Sequence, residues 1–178
     1  SFLIKKCKEK EIKITEDEIK DVMVNEKGID FIKGSKKYKH DFYVDCSGFK
    51  KLLISKLGAK WVSYKKYLPL NEAIAFPTKD TEEYTPYTLA KAMKAGWMWR
   101  IPTNGRWGNG YVFDNNYINA EQAKKECESY LGHKIEIAKN VKFEAGCLEH
   151  VWIKNCIAIG LSSNFIEPLE ATSIGSAI

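Results

Sequence analysis

The chain is short of several things, and each shortage removes a class of function. Only two of its 28 basic residues are arginines, Arg100 and Arg106; the others are lysines. Bidentate contacts to phosphates and base edges favour arginine, so the net charge of +5 does not read as a nucleic-acid surface. The three histidines, His40, His133 and His150, show no metal-ligand spacing. The five cysteines, Cys7, Cys46, Cys127, Cys147 and Cys156, are odd in number and contain no C-x-x-C pair. They point to reduced, mostly buried thiols of a cytoplasmic protein, not to a disulfide framework. No apolar run approaches a membrane span, and Ser1-Phe2-Leu3-Ile4, followed at once by lysines, is no secretory leader. A G-x-G-x-x-G loop is missing too, so the chain cannot cradle a pyrophosphate in the usual dinucleotide manner.

What is present is globular: 44% hydrophobic and 29% charged residues, with five tryptophans among 178 positions. Periodicity predicts the tail of a helix over residues 2–11, a short strand over 11–14 and another strand through Ile19, Val22 and Val24. A turn at Asn25-Glu26-Lys27-Gly28 leads to a strand over 29–32. Phe42-Tyr43-Val44 reads as a buried strand. It ends at Asp45-Cys46-Ser47-Gly48 and is followed by a helix from Phe49 to Leu57, stopped at Gly58. Strands are expected over 68–76, 84–93, 96–101 and 108–113, forming an antiparallel layer. A helix over 120–131 is capped by Asn119 and ended by Gly132. Short strands follow at 142–146, 149–152 and 156–160.

Three stretches carry chemistry. The turns Asp45-Cys46-Ser47-Gly48 and Gly160-Leu161-Ser162-Ser163 each follow an apolar strand, a device that lets backbone approach a cofactor. Trp97 and Trp99 are two apart on a strand and share a face, either under a sheet or as a flat wall beside an aromatic group. Phe165-Ile166-Glu167-Pro168-Leu169-Glu170-Ala171-Thr172-Ser173 places two carboxylates and two hydroxyls where a helix begins, a natural anion site. On its own, Glu170 reads equally as a dipole-stabilised helix-start carboxylate and Thr172 as an N-cap.

Trp97-Met98-Trp99-Arg100-Ile101-Pro102 resembles the W-x-W-x-I-P signature of flavin-dependent tryptophan halogenases. Asp45-Cys46-Ser47-Gly48-Phe49 is similar to that family's second flavin motif, and Phe165 to Thr172 to its F-x-E-P-L-E block. The resemblance runs along essentially the whole chain. It implies an α/β fold: part of a glutathione-reductase-type, FAD-dependent monooxygenase-like flavin fold with a mostly antiparallel sheet layer. Residues 1–66 would belong to the FAD-binding region, 67–153 to the sheet layer and 154–178 to the return to the FAD and halide site. The glycine-rich dinucleotide loop and the catalytic lysine would lie upstream and the helical C-terminal region downstream, making the chain an incomplete, inactive central fragment.

The implied chemistry uses reduced FAD, delivered by a separate flavin reductase, with oxygen and chloride or bromide. Hypohalous acid forms and halogenates an electron-rich arene such as tryptophan or another indole. By the resemblance Glu170 is the catalytic glutamate, and Thr172 and Ser173 hold the halide. Leu161 and Ile174 touch the flavin, and Ile19 packs against its adenine end. Two positions depart from the family's common pattern: Ala171 stands for serine and Ser173 for glycine. A flavin monooxygenase that inserts oxygen, a non-catalytic flavin-binding protein and, ranked last, a non-enzymatic binding module that uses the basic N-terminal half are the alternative readings. The resemblance implies no nucleic acid, metal or membrane, and a homodimer is compatible with it.

Overall fold

The computed structural model describes residues 2–79 and 85–166. Helix α1 (Phe2–Glu9) buries none of its residues. It is followed by β1 (Asp21–Asn25), β2 (Gly28–Lys33) and β3 (Lys37–Tyr38), an antiparallel three-stranded sheet. Then come β4 (Tyr43–Asp45) and β5 (Trp61–Ser63), and the long strands β6 (Glu72–Lys79), β7 (Leu89–Met93), β8 (Gly96–Thr103) and β9 (Arg106–Phe113). Helix α2 (Ala120–Leu131) leads to β10 (Lys139–Lys142), β11 (Gly146–Leu148), β12 (Trp152–Ile153), β13 (Cys156–Ala158) and β14 (Asn164–Phe165).

The larger layer is an antiparallel sheet in the order β10-β6-β9-β8-β7, with α2 across one face. Ile74, Phe76, Met98, Tyr111 and Phe113 alternate onto that face and bury against Ala123 and Cys127 of the helix. The helix begins and ends where the sequence places it. Asn119 and Gln122 form a reciprocal capping box, and Gly132 closes the C-terminus in the left-handed region. Tyr111 is buried among apolar side chains, which pushes its phenol up to about 12, and its hydroxyl donates to Glu126 at 3.1 Å.

The rest is built from short strands that join distant parts of the chain. Strand β11 sits between β5 and β14. Strand β13 pairs with β12 on one side and, in parallel, with β4 on the other. Val22, Ile29, Tyr43, Leu53, Ile54, Leu148 and Cys156 make a second core there.

Three expectations are corrected. Residues 11–14 form a turn and extended chain, not a strand: Glu11 N and Ile12 N bond back to the Lys8 and Cys7 carbonyls, and no neighbouring strand pairs with the segment among the described residues. Ile19 is not on a strand: β1 starts at Asp21, and Ile19 is exposed in the segment before it. The helix over 49–57 is two single 3-10 turns, Gly48–Lys50 and Ile54–Leu57. It breaks because Lys51 is left-handed (φ 48°) and because side chains capture its amides. Ser47 Oγ accepts from Leu52 N, and Asp45 Oδ2 from Leu53 N and Ile54 N, in place of i−4 carbonyls.

Candidate functional site

The parallel pair β4 and β13 sets the site. Tyr43, Val44 and Asp45 lie beside Cys156, Ile157 and Ala158, so both strands point the same way and end together. Ligands of open α/β sheets settle outside such carboxyl ends. Each strand runs into a turn with a left-handed glycine, Gly48 at φ 69° and Gly160 at φ 63°. A Cβ on either glycine would meet no atom within 4 Å, so both turns face open space with bare backbone. Phe49, Leu52 and Leu161 stand partly exposed around them, which is apolar surface suited to a flat ring.

Asp45 holds this arrangement from below and is fully buried. Its Oδ1 accepts from Ser47 N at 2.9 Å, Ser47 Oγ at 2.6 Å and Ser162 Oγ at 3.3 Å. Its Oδ2 accepts from Leu53 N and Ile54 N, each at 2.9 Å, and its carbonyl accepts from Ile159 N at 3.0 Å. Burial alone would raise the pKa of the carboxyl. The bonds from the Ser47 hydroxyl and from the Ile54, Ser47 and Leu53 amides outweigh it and hold the group below its ordinary value. Asp45 therefore stays ionised at neutral pH and acts as a fixed anchor, not as a proton carrier. Cys156, beneath it, has its thiol pushed up to about 11 by burial and by the Asp45 charge, and is inert as a nucleophile.

The second turn passes directly into β14, where Phe165 is held between two rings. Its centroid lies 5.3 Å from that of Phe49 and 4.9 Å from that of Phe143, both edge-on. The first turn thus touches the strand that delivers the chain to residue 166. Glu170, Thr172, Ser173 and Ile174 lie outside the described residues.

The tryptophan motif sits on β8. Met98 points into the α2 core, so Trp97, Trp99 and Ile101 alternate onto the opposite face. Both indoles are half-buried and tilted at 58° with centroids 6.0 Å apart. They are not packed under α2; they line the sheet's other face. Trp99 lies flat over Gly110, where a Cβ would come within 2.0 Å of its ring. Arg100 turns to the helix side, donates from Nε to Asn109 Oδ1 at 3.2 Å and stacks on Trp107 at 4.8 Å. Pro102 pairs with Trp107 near the end of the hairpin.

Sequence reasoning found both glycine turns and missed what binds them. Asp45 is visible only as part of an Asp-x-Ser turn; Ser162 and Phe165 carry no local signal. Among the described residues, no group of His, Cys, Asp and Glu is placed to hold a metal, and no helix is long and apolar enough to cross a membrane.

Residues 1–178 match the family described as tryptophan halogenase. The chain belongs to the tryptophan halogenase family. It is 36% identical over 185 aligned residues to the tryptophan 6-halogenase SttH of Streptomyces toxytricini, covering 97% of this chain and 35% of that protein. It is 40% identical over 141 residues to the 7-chloro-L-tryptophan 6-halogenase KtzR of Kutzneria sp. (strain 744), covering 75% of this chain and 27% of that one. The crystal structure of SttH superposes with a TM-score of 0.92 over 98% of this chain and 36% of SttH. BrvH of Brevundimonas sp. BAL3, described as a flavin-dependent halogenase, gives 0.84 at 33% identity, over 92% of this chain and 35% of BrvH. The mixed α/β, mostly antiparallel fold is thus that of flavin-dependent halogenases, and this member spans about a third of the length of these relatives.

Proposed function

We propose that the chain forms the central, flavin-facing part of a halogenase. The enzyme would use reduced FAD, dioxygen and chloride or bromide to halogenate an electron-rich arene such as tryptophan or another indole. One observation carries this: two glycine turns at the ends of adjacent parallel strands, open to solvent and tied to one buried carboxylate, in a chain that matches the family along its whole length. The residues fit a flavin. Gly48 and Gly160 present bare, left-handed backbone to open space, and Leu161 adds apolar surface beside Gly160.

When bound, the reduced flavin supplies the oxygen activation that turns halide into hypohalous acid. The chain's own residues do the rest. Ile19 packs toward the adenine end and Ile174 completes the contact begun by Leu161. Backbone N–H groups at Thr172 and Ser173 hold the halide, and Glu170 orients the oxidant and takes the ring proton. Those roles rest on the family's F-x-E-P-L-E block. A separate flavin reductase supplies the reduced cofactor, a role that rests on the family resemblance and not on a feature of this chain.

The test is Glu170→Gln in the intact enzyme, assayed with a reductase and chloride. Halogenated product is expected to fall about 100-fold or more, the usual contribution of a positioned acid–base group, while flavin reoxidation continues. Product at the wild-type rate would remove Glu170 from the reaction. A hydroxylated product that needs no halide would favour a monooxygenase.

A further inference from the structure

The two turns are built differently. The first is complete within its own loop, because Asp45 takes four bonds from Ser47, Leu53 and Ile54. The second is a tight 3-10 turn, in which Ser163 bonds back to Gly160 O through both N (2.8 Å) and Oγ (2.8 Å). Ser162, one residue earlier, does not follow that local pattern. Its hydroxyl is fully buried and reaches across to the other turn, to Asp45 Oδ1 at 3.3 Å and Gly48 O at 3.1 Å. Both acceptors adjoin the open face of Gly48, and Ser162 is two residues from the open face of Gly160.

We propose that Ser162 is a positioning residue for the cofactor. Its one hydroxyl proton, shared between Asp45 Oδ1 and the Gly48 carbonyl, sets the gap between the two glycine turns. This rests on the flavin reading above. Ser162 touches no reacting atom; it acts through the backbone it spaces. A hydroxyl bonded to an ionised, buried acceptor resists stretching more than a neutral pair does, so the gap is pre-set before a ligand arrives. Without the bridge, the β4–β13 ladder and the Ile159–Asp45 bond still hold the strand ends, but the turns beyond them spread.

The experiment measures FAD affinity and the absorption spectrum of bound FAD in the intact enzyme, with apo-protein melting recorded in parallel. Ser162→Ala is expected to weaken FAD about five- to tenfold, the effect of one ordinary buried hydrogen bond. It should also blur the fine structure of the bound-flavin band. Asn119→Ala, which removes the α2 cap, is the stability control: it should lower apo melting by a similar few degrees and leave FAD affinity unchanged. Asp45→Asn should weaken FAD on its own, and adding Ser162→Ala to it should cost little more, because the two act as one link. Unchanged affinity in Ser162→Ala overturns the proposal. So does an affinity loss that Asn119→Ala reproduces, or full additivity with Asp45→Asn. Failure of the wild-type enzyme to bind FAD at all would instead refute the flavin reading itself.

Discussion

The two halves of this molecule are held together by different means. The five-stranded sheet relies on repetition: long antiparallel ladders and an apolar face packed on α2. Removing one bond from β6 or β9 leaves neighbours that do the same job. The region around β4 and β13 has strands of three residues and cannot work that way. It relies on single polar side chains. Asp45 organises both turns, and Asn155 clamps the backbone of Ile29 with Oδ1 at 2.8 Å and Nδ2 at 2.9 Å. Distributed packing tolerates loss, whereas a hub does not, and the hub lies where two glycine turns present bare backbone in the left-handed conformation.

That contrast is most severely broken by Asp45→Ala. It leaves the buried amides of Leu53 and Ile54 and the Ser47 amide without their acceptor, at about 1–3 kcal/mol each. Amide hydrogen exchange should speed at Leu53 and Ile54 by several orders of magnitude while the β9 amides of Tyr111 and Val112 stay protected. Equal loss in both regions would mean the halves are one cooperative unit. Gly96→Ala attacks the other half. A Cβ there would sit 2.0 Å from the Val112 carbonyl oxygen, which is backbone and cannot swing aside. About 3 kcal/mol of destabilisation is expected, read by denaturant melting, with exchange accelerating along β8 and β9 but not at Leu53.

The mildest test is pH. The Asp45 carboxyl is depressed in the folded protein, so its contribution is fully present above its unfolded value of about 3.9 and fades as pH falls through the lower folded value. Acidification below about pH 4 should therefore loosen the Leu53 and Ile54 amides before those of the sheet. Simultaneous loosening would show that the hub does not titrate separately.

The regular half was the legible half. Helix α2, its Asn119 cap and its Gly132 stop are local patterns, and so are the β1–β2 turn and the β8–β9 strands. The two glycine turns were legible as well, because a strand ending in small residues is a local signal. The helix over 49–57 misled because its propensity was real but its amides had a better acceptor in Asp45, eight and nine residues back. The tryptophans were ambiguous in sequence, since period two gives a shared face without saying which face; Met98 in the α2 core decides it. The Ser162 bridge was out of reach, for a hydroxyl says nothing of a partner so far along the chain.

That distance has a consequence in time. Asp45 and Ser162 are 117 residues apart, whereas β8 and β9 meet across a short hairpin. Contacts of high sequence separation form slowly, and on a ribosome they wait for the second partner to emerge. The long-stranded sheet can be assembled while Ser162 is still unmade. The gap between the two glycine turns then closes after the sheet during synthesis, and a nascent chain that lacks Ser162 would carry most of the sheet beside half a cradle.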